Sequence, residues 1–221
     1  MSRIVYTSFD ERTPYWKICE PSIRKWVTET CQAQLVNLPA PKDYQPQWVI
    51  FDAFRDSIDA QSNSPDEVHA AWIDCDIIAR KWAPDIFSAF PPKLFFCPPD
   101  PPSRVHPNMS RGATKWGLPN PRPYIITAIV KWTPTQVAPL LAWFGSNRHR
   151  FGRRIGDQEL ITVALYETET FNALFPHPMH RMSKWANKQS SFLHAAGGRK
   201  VGKLRKLSSW LGPDEPVGQY P

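Results

Sequence analysis

Three short stretches of this sequence carry residues whose types and spacing could do chemistry. In residues 72–82 (WIDCDIIARKW), Asp74 and Asp76 stand two apart, so in a fully extended segment both carboxylates project to the same side. Two carboxylates held together repel unless a proton or a cation lies between them. Hard oxygen ligands suit Mg²⁺ or Mn²⁺, which can also bridge to phosphate oxygens. A solvated turn after a strand would read the same way. In residues 194–200 (HAAGGRK), His194 offers a nitrogen ligand and Lys200 can neutralise a phosphate as a point charge. Between them, Gly197 and Gly198 let backbone N–H groups approach an anion closely. A histidine at a helix end, followed by a glycine stop and a basic tail, fits the same letters. In residues 156–160 (GDQEL), Asp157 and Gln158 could face a substrate from a helix N-terminus, or Asp157 could simply cap that helix.

These residues need elements to bring them together. Residues 3–9 (RIVYTSF) read as a first strand and residues 33–38 (AQLVNL) as a second. Between them, residues 14–30 carry apolar positions at Trp16, Ile18, Ile23, Trp26 and Val27, which predicts a helix broken or started near Pro21. Residues 48–58 (WVIFDAFRDSI) fit either a strand entering a helix or one helix. Residues 68–73 (VHAAWI) are apolar enough for a buried strand, and that strand ends directly in Asp74-Cys75-Asp76. The proline-rich residues 84–123 predict neither a continuous helix nor a central strand, because each proline removes a donor and fixes φ. They read as an ordered loop over a site or as a mobile lid. Residues 124–132 (YIITAIVKW) predict a strand, and residues 135–144 a helix with Thr133-Pro134 at its start. Residues 156–165 predict a helix opened by a capping Asp157, and residues from His177 onward predict basic loops with one short helix. Strands alternating with helices predict one α/β domain over residues 1–221, with a mostly parallel sheet and a basic C-terminal segment, 177–221. In such sheets ligands bind beyond the carboxyl ends of the strands, which is where the acidic pair falls.

Composition narrows the class. With 42% hydrophobic and 21% charged residues the chain is that of a globular protein, not a disordered one. The net charge of +7 is unevenly spread. Residues 1–100 hold fourteen acidic and ten basic residues, whereas residues 101–221 hold six acidic and seventeen basic. A face built from that second half would attract polyanions. It includes Arg148, His149, Arg150, Arg153 and Arg154 in one loop, then Lys184, Lys188, Arg199, Lys203, Arg205 and Lys206. Trp116, Trp132, Trp143, Trp185 and Trp210 lie among them as core or as stacking surfaces. No apolar run approaches the ~20 residues of a membrane span. Cys19, Cys31, Cys75 and Cys97 show no CxxC pairing, which predicts free thiols in a reducing, cytoplasmic setting.

Taken in order, the three stretches resemble the glycogenin-like family of nucleotide-sugar transferases, which includes bacterial lipopolysaccharide galactosyltransferases and has the GT-A fold. The shared order is an N-terminal strand (RIVYTSFD), Asp-x-Asp after an apolar strand, and a hydrophobic strand running into a helix (YIITAIVKWTPTQ). Asp-Gln at a helix start and His-x-x-Gly-x-x-Lys complete it. The chain departs from the family pattern at Val201-Gly202, where Pro-Trp is usual, and at Thr127-Ala128, in place of an asparagine-glycine. The resemblance implies that Asp74, Asp76 and His194 hold Mn²⁺ or Mg²⁺ against the phosphates of a UDP-sugar, with Gly197, Gly198 and Lys200 beside them. It implies that Thr7, Ser8 and Phe9 contact the nucleoside. Asp157 and Gln158 would then lie beside the sugar and acceptor; in the resembled family the glutamine faces the anomeric carbon and configuration is retained, whereas Asp157 acting as a base on the acceptor hydroxyl would give inversion. A basic half suits a nucleic-acid acceptor, such as a hydroxymethylated base in DNA of the type phages modify, or an anionic glycan or lipid head group. The rival readings are a non-enzymatic nucleic-acid-binding module and a two-metal nuclease or nucleotidyltransferase, which would need a further carboxylate such as Glu159.

Overall fold

Alternation builds the first strand, β1 (Ser2–Thr7): Ile4 and Tyr6 enter one apolar cluster and Val5 the other. The structure is a computed structural model that describes residues 1–10, 15–42, 48–97, 125–151, 156–170, 172–176, 179–182, 189–195, 199–216 and 218. In it, β1 lies between β2 (Gln34–Asn37) and β3 (Val68–Ile73), parallel to both. A short β4 (Ile77–Ala79) follows, then β5 (Phe95–Cys97) and β6 (Ile126–Trp132). β7 (Ala173–Leu174), β8 (His180–Met182) and β9 (Phe192–His194) complete the strands. The main sheet runs β2-β1-β3-β6-β5-β7, with only β6 reversed against its neighbours. A second sheet, β4-β9-β8, stands at its edge. The mostly parallel α/β architecture is thus as the sequence predicts.

Helices cover both faces of the main sheet. On one side, α1 (Trp16–Lys25), with Ile18 and Ile23, shares a core with Ile73, Ile77, Phe192 and Leu193. On the other, α2 (Ile50–Ser62) packs Phe51 and Phe54 against Tyr6, Trp72 and Trp132. A short α3 (Ile86–Ala89) precedes β5. Next, α4 (Pro134–Asn147) begins with a capping box in which Thr133 and Gln136 satisfy each other's backbone N–H groups. The last two helices are α5 (Asp157–Glu167) and α6 (Lys200–Ser208). Residues 48–58 hold no strand: from Ile50 onward they are helix, with Ile50, Phe51, Ala53, Phe54 and Ser57 as its buried positions.

Several expectations are corrected. The proline-rich stretch does contribute an interior strand: Phe95–Cys97 lies between β6 and β7. Those three residues contain no proline and keep their N–H groups for the ladder. A lid role for the rest falls on residues 98–124, outside the described residues. Helix α1 runs through Pro21 instead of breaking there. Pro21 cannot donate to the Lys17 carbonyl, and Gly218 packs directly on that group, where a Cβ would lie only 1.6 Å from it. The C-terminal segment contains two strands besides its helix.

That segment is pinned by one buried ion pair. Arg80, just after β4, donates to Glu215 at 2.7 and 3.1 Å, and both side chains are almost wholly buried. Glu215 also accepts from the backbone N–H groups of Lys81 and Gly212. Burial alone would raise the Glu215 pKa, but these donors outweigh it and hold the group at about 2. A depressed carboxylate contributes stability above its ordinary pKa and loses it as pH falls towards the folded value. Stability should therefore decline between about pH 4.5 and pH 2, less steeply in Glu215→Gln. Glu215→Ala should cost about 3–5 kcal/mol in urea unfolding at neutral pH, because it strands Arg80.

Candidate active site

The site forms where β3 ends. Its last residue, Ile73, is core, and the next three make a tight turn into β4. The Asp74 N–H donates to the Ala128 carbonyl of β6 at 2.9 Å, and the Asp74 carbonyl accepts from Ile77 at 3.3 Å. It is this turn, not an extended segment, that brings Asp74 and Asp76 together. In the second sheet Ile77 pairs with His194, and the Ala195 N–H donates to the Asp76 carbonyl at 3.1 Å. The imidazole is thereby fixed beside the acidic pair. Arg199 then adopts left-handed backbone (φ 58°), a conformation that costs a non-glycine residue energy, and the chain turns into α6 with Lys200 as its first residue.

The side chains converge. His194 Nε2 lies 3.3 Å from Asp76 Oδ1 and 3.9 Å from Asp74 Oδ2. Lys200 Nζ lies 2.6 Å from Asp76 Oδ2, a close ion pair. Asp74, Asp76 and His194 each offer a ligand atom, all within 4.8 Å of one another. Two carboxylate oxygens and an imidazole nitrogen are a donor set compatible with a divalent metal ion. Asp76 and His194 are buried, whereas the Asp74 side chain is 28% exposed and marks the open side. Burial would raise the Asp76 pKa, but His194 and Lys200 hold it well below the usual carboxylate range. Burial and the neighbouring Asp76 charge push Asp74 the other way. His194 and Lys200 are both raised, because the carboxylates outweigh their burial.

Asp157 is the first residue of α5 but not its cap; Gly156 holds that position. The Asp157 carboxylate turns instead to the sheet and accepts a hydrogen bond from the Thr127 hydroxyl on β6. Burial pushes its pKa up to about 6, and its charge helps raise that of Asp74. Gln158 follows it on α5. Thr7, Ser8 and Phe9 lie at the carboxyl end of β1, as expected. The Thr7 hydroxyl is buried with no hydrogen-bond partner among the described residues. Ser8 donates to the Leu38 carbonyl at 2.9 Å, and the Phe9 ring stacks on Trp16 at 5.1 Å. Gly197 and Gly198 lie outside the described residues, as do Arg153, Arg154, Lys184, Lys188, Trp116 and Trp185. Trp132 and Trp143 are core, not stacking surfaces. Arg150 is paired with Glu167 at 2.9 and 3.1 Å.

Two residues escaped the sequence reading. The Trp72 indole donates to Asp74 Oδ1 at 2.7 Å, and Thr127 engages Asp157. The spacing of two between Trp72 and Asp74 was the available signal. Thr127 had one as well, standing where the resembled family has another residue.

No family model matches the sequence, and no curated protein matches it. Solved structures match its shape. A glycosyltransferase involved in glycosylation of the major capsid of PBCV-1 superposes with a TM-score of 0.64 at 13% identity, over 94% of this chain and 98% of that one. The galactosyltransferase LgtC, in complex with donor and acceptor sugar analogues, gives 0.52 at 9% identity, over 96% and 98%. The bifunctional glycosyltransferase WbbM gives 0.52 at 12%, over 89% of this chain and 46% of that one. The chain therefore has the GT-A fold of these glycosyltransferases; at such identities the likeness is one of architecture.

A hydrogen bond to the ionised form lowers a carboxyl pKa. Thr127→Val should thus push the Asp157 carboxyl above about 6, as read by carbon-13 NMR titration. An unchanged or lower value would show that the Thr127 contact does not favour the ionised carboxylate.

Proposed function

We propose that this chain is a metal-dependent glycosyltransferase that moves a sugar from a UDP-sugar to an acceptor hydroxyl. The observation that carries this reading is the convergence of Asp74, Asp76, His194 and Lys200 at the carboxyl edge of a GT-A sheet. A bound Mn²⁺ or Mg²⁺ would supply Lewis-acid stabilisation of charge on the leaving diphosphate. Asp74, Asp76 and His194 would hold that ion. Lys200 would meet a diphosphate oxygen, and it would need no proton transfer to do so because its charge is reinforced by Asp76. The residues after β1 would border the nucleoside. Asp157 and Gln158 would flank the sugar and acceptor. A Gln158 amide facing the anomeric carbon cannot act as a base, which favours retention. If Asp157, its pKa pushed up to about 6 by burial, reached the acceptor hydroxyl, it would act as a base and favour inversion instead.

The acceptor we propose is polyanionic, with DNA carrying hydroxymethylated bases as the leading case. Helix α6 starts at the site with Lys200 and continues with Lys203, Arg205 and Lys206, so cationic side chains extend outward from it. A base inside a duplex would have to be flipped to present its hydroxyl. The four described cysteines are free thiols, which suits a reducing, cytoplasmic setting. No helix among the described residues is long and apolar enough to cross a membrane.

Nucleoside-diphosphate release from a panel of nucleotide sugars tests the reaction. UDP release should require Mn²⁺ or Mg²⁺ and fall at least about 100-fold in Asp76→Asn. The Asp76→Asn fold should persist, because Lys200 is 30% exposed and can turn to water. Normal turnover in that folded variant would contradict the metal assignment. For the acceptor, binding to unmodified duplex should weaken steeply with salt. Absent or salt-insensitive binding would point to a glycan or lipid acceptor instead.

A further inference from the structure

We propose that Trp72 is a positioning residue for the metal centre, holding one oxygen of Asp74 so that only the other is presented to the ion. The inference rests on the metal-dependent reading above and adds a residue to it. Trp72 is 5% exposed and sits in the middle of the sheet, opposite Tyr6 of β1 and Val130 of β6. Its ring packs in the core shared with α2, so the indole cannot swing away. An indole is a donor only, with a single N–H in the plane of the ring. That N–H meets Asp74 Oδ1 at 2.7 Å. The remaining oxygen, Oδ2, is the one 3.9 Å from His194 Nε2.

The backbone of Asp74 is held at both its N–H and its carbonyl, so only side-chain torsions are left to fix. The terminal torsion of an aspartate is broad, and an unrestrained carboxylate can turn either oxygen, or both, towards a cation. The indole removes that freedom before any ligand arrives. It also makes Asp74 a one-oxygen ligand, which leaves more of a divalent cation's positions to phosphate oxygens and water. Outer partners of this kind commonly change metal affinity by about 10–100-fold.

The experiment is titration of Mn²⁺ into the full chain without nucleotide, with free Mn²⁺ followed by electron paramagnetic resonance. Replacing Trp72 by β-(3-benzothienyl)alanine keeps the bicyclic shape and exchanges the N–H for sulfur. This variant should keep the metal-free Tm and bind Mn²⁺ about 10–100-fold more weakly. The same replacement at Trp132 removes a comparable buried bond, from its indole to Ser57 Oγ at 2.9 Å, without touching Asp74. It should leave Mn²⁺ affinity unchanged. Trp72→Phe, if folded, should behave like the sulfur variant. Wild-type affinity in the Trp72 variant, or equal losses at Trp72 and Trp132, would overturn the proposal while leaving the metal centre standing. No Mn²⁺ binding by the wild-type chain would overturn both.

Discussion

A carboxylate stripped of water has to be compensated, and Asp76 is such a group: 2% exposed and flanked by a second acid, Asp74. An unpaired charge at that depth costs several kcal/mol. The compensation comes from far along the chain, His194 on β9 and Lys200 on α6. The second sheet and the last helix are therefore tied to this edge of the main sheet by charge as well as by apolar packing. Ile77, Ile78, Phe192, Leu193 and Leu204 seal the same junction from below. The constraint that organises the C-terminal part of the fold is thus also the one that makes the site basic beside its acids.

The single reversed strand has a matching consequence. Because β6 runs against β3, its first residues, Ile126 to Ala128, reach the edge where the parallel strands end. Ala128 clamps the Asp74 backbone and Thr127 engages Asp157. Two neighbouring strands thus each donate a neutral hydrogen bond to a carboxylate of the site, from Trp72 and from Thr127. Neutral donors orient an acid without cancelling its charge, and that charge is needed to hold a cation.

Much of the architecture was legible in the residues. The run VHAAWI followed by Asp, the run ITAIVKW, and the Thr133-Pro134 helix start all fold as their patterns predict. Local backbone preference and burial act over a few residues, so these elements carry their own instructions. Where local rules failed, packing had overridden them. Pro21 stands inside α1, where the Gly218 N–H donates to the neighbouring Ile18 carbonyl and ties the C-terminal segment to the helix. Three proline-free residues in a proline-rich stretch became an interior strand because both neighbours offer ladder groups. Gly156, not Asp157, takes the cap position, and the Asp157 carboxylate engages the Thr127 hydroxyl of β6.

The site divides along the same line. Asp-x-Asp, Asp-Gln and His-x-x-Gly-x-x-Lys stand in the chain as residue types with recognisable chemistry, and their order pointed to one kind of reaction. What no local pattern contains is that His194 and Lys200 close on Asp76 across more than a hundred residues, or that an indole and a threonine hydroxyl aim the neighbouring acids. Those contacts exist only once the β3–β6 and β4–β9 pairings are made. Chemical identity is a property of the residue, whereas distance and desolvation are properties of the packed sheet.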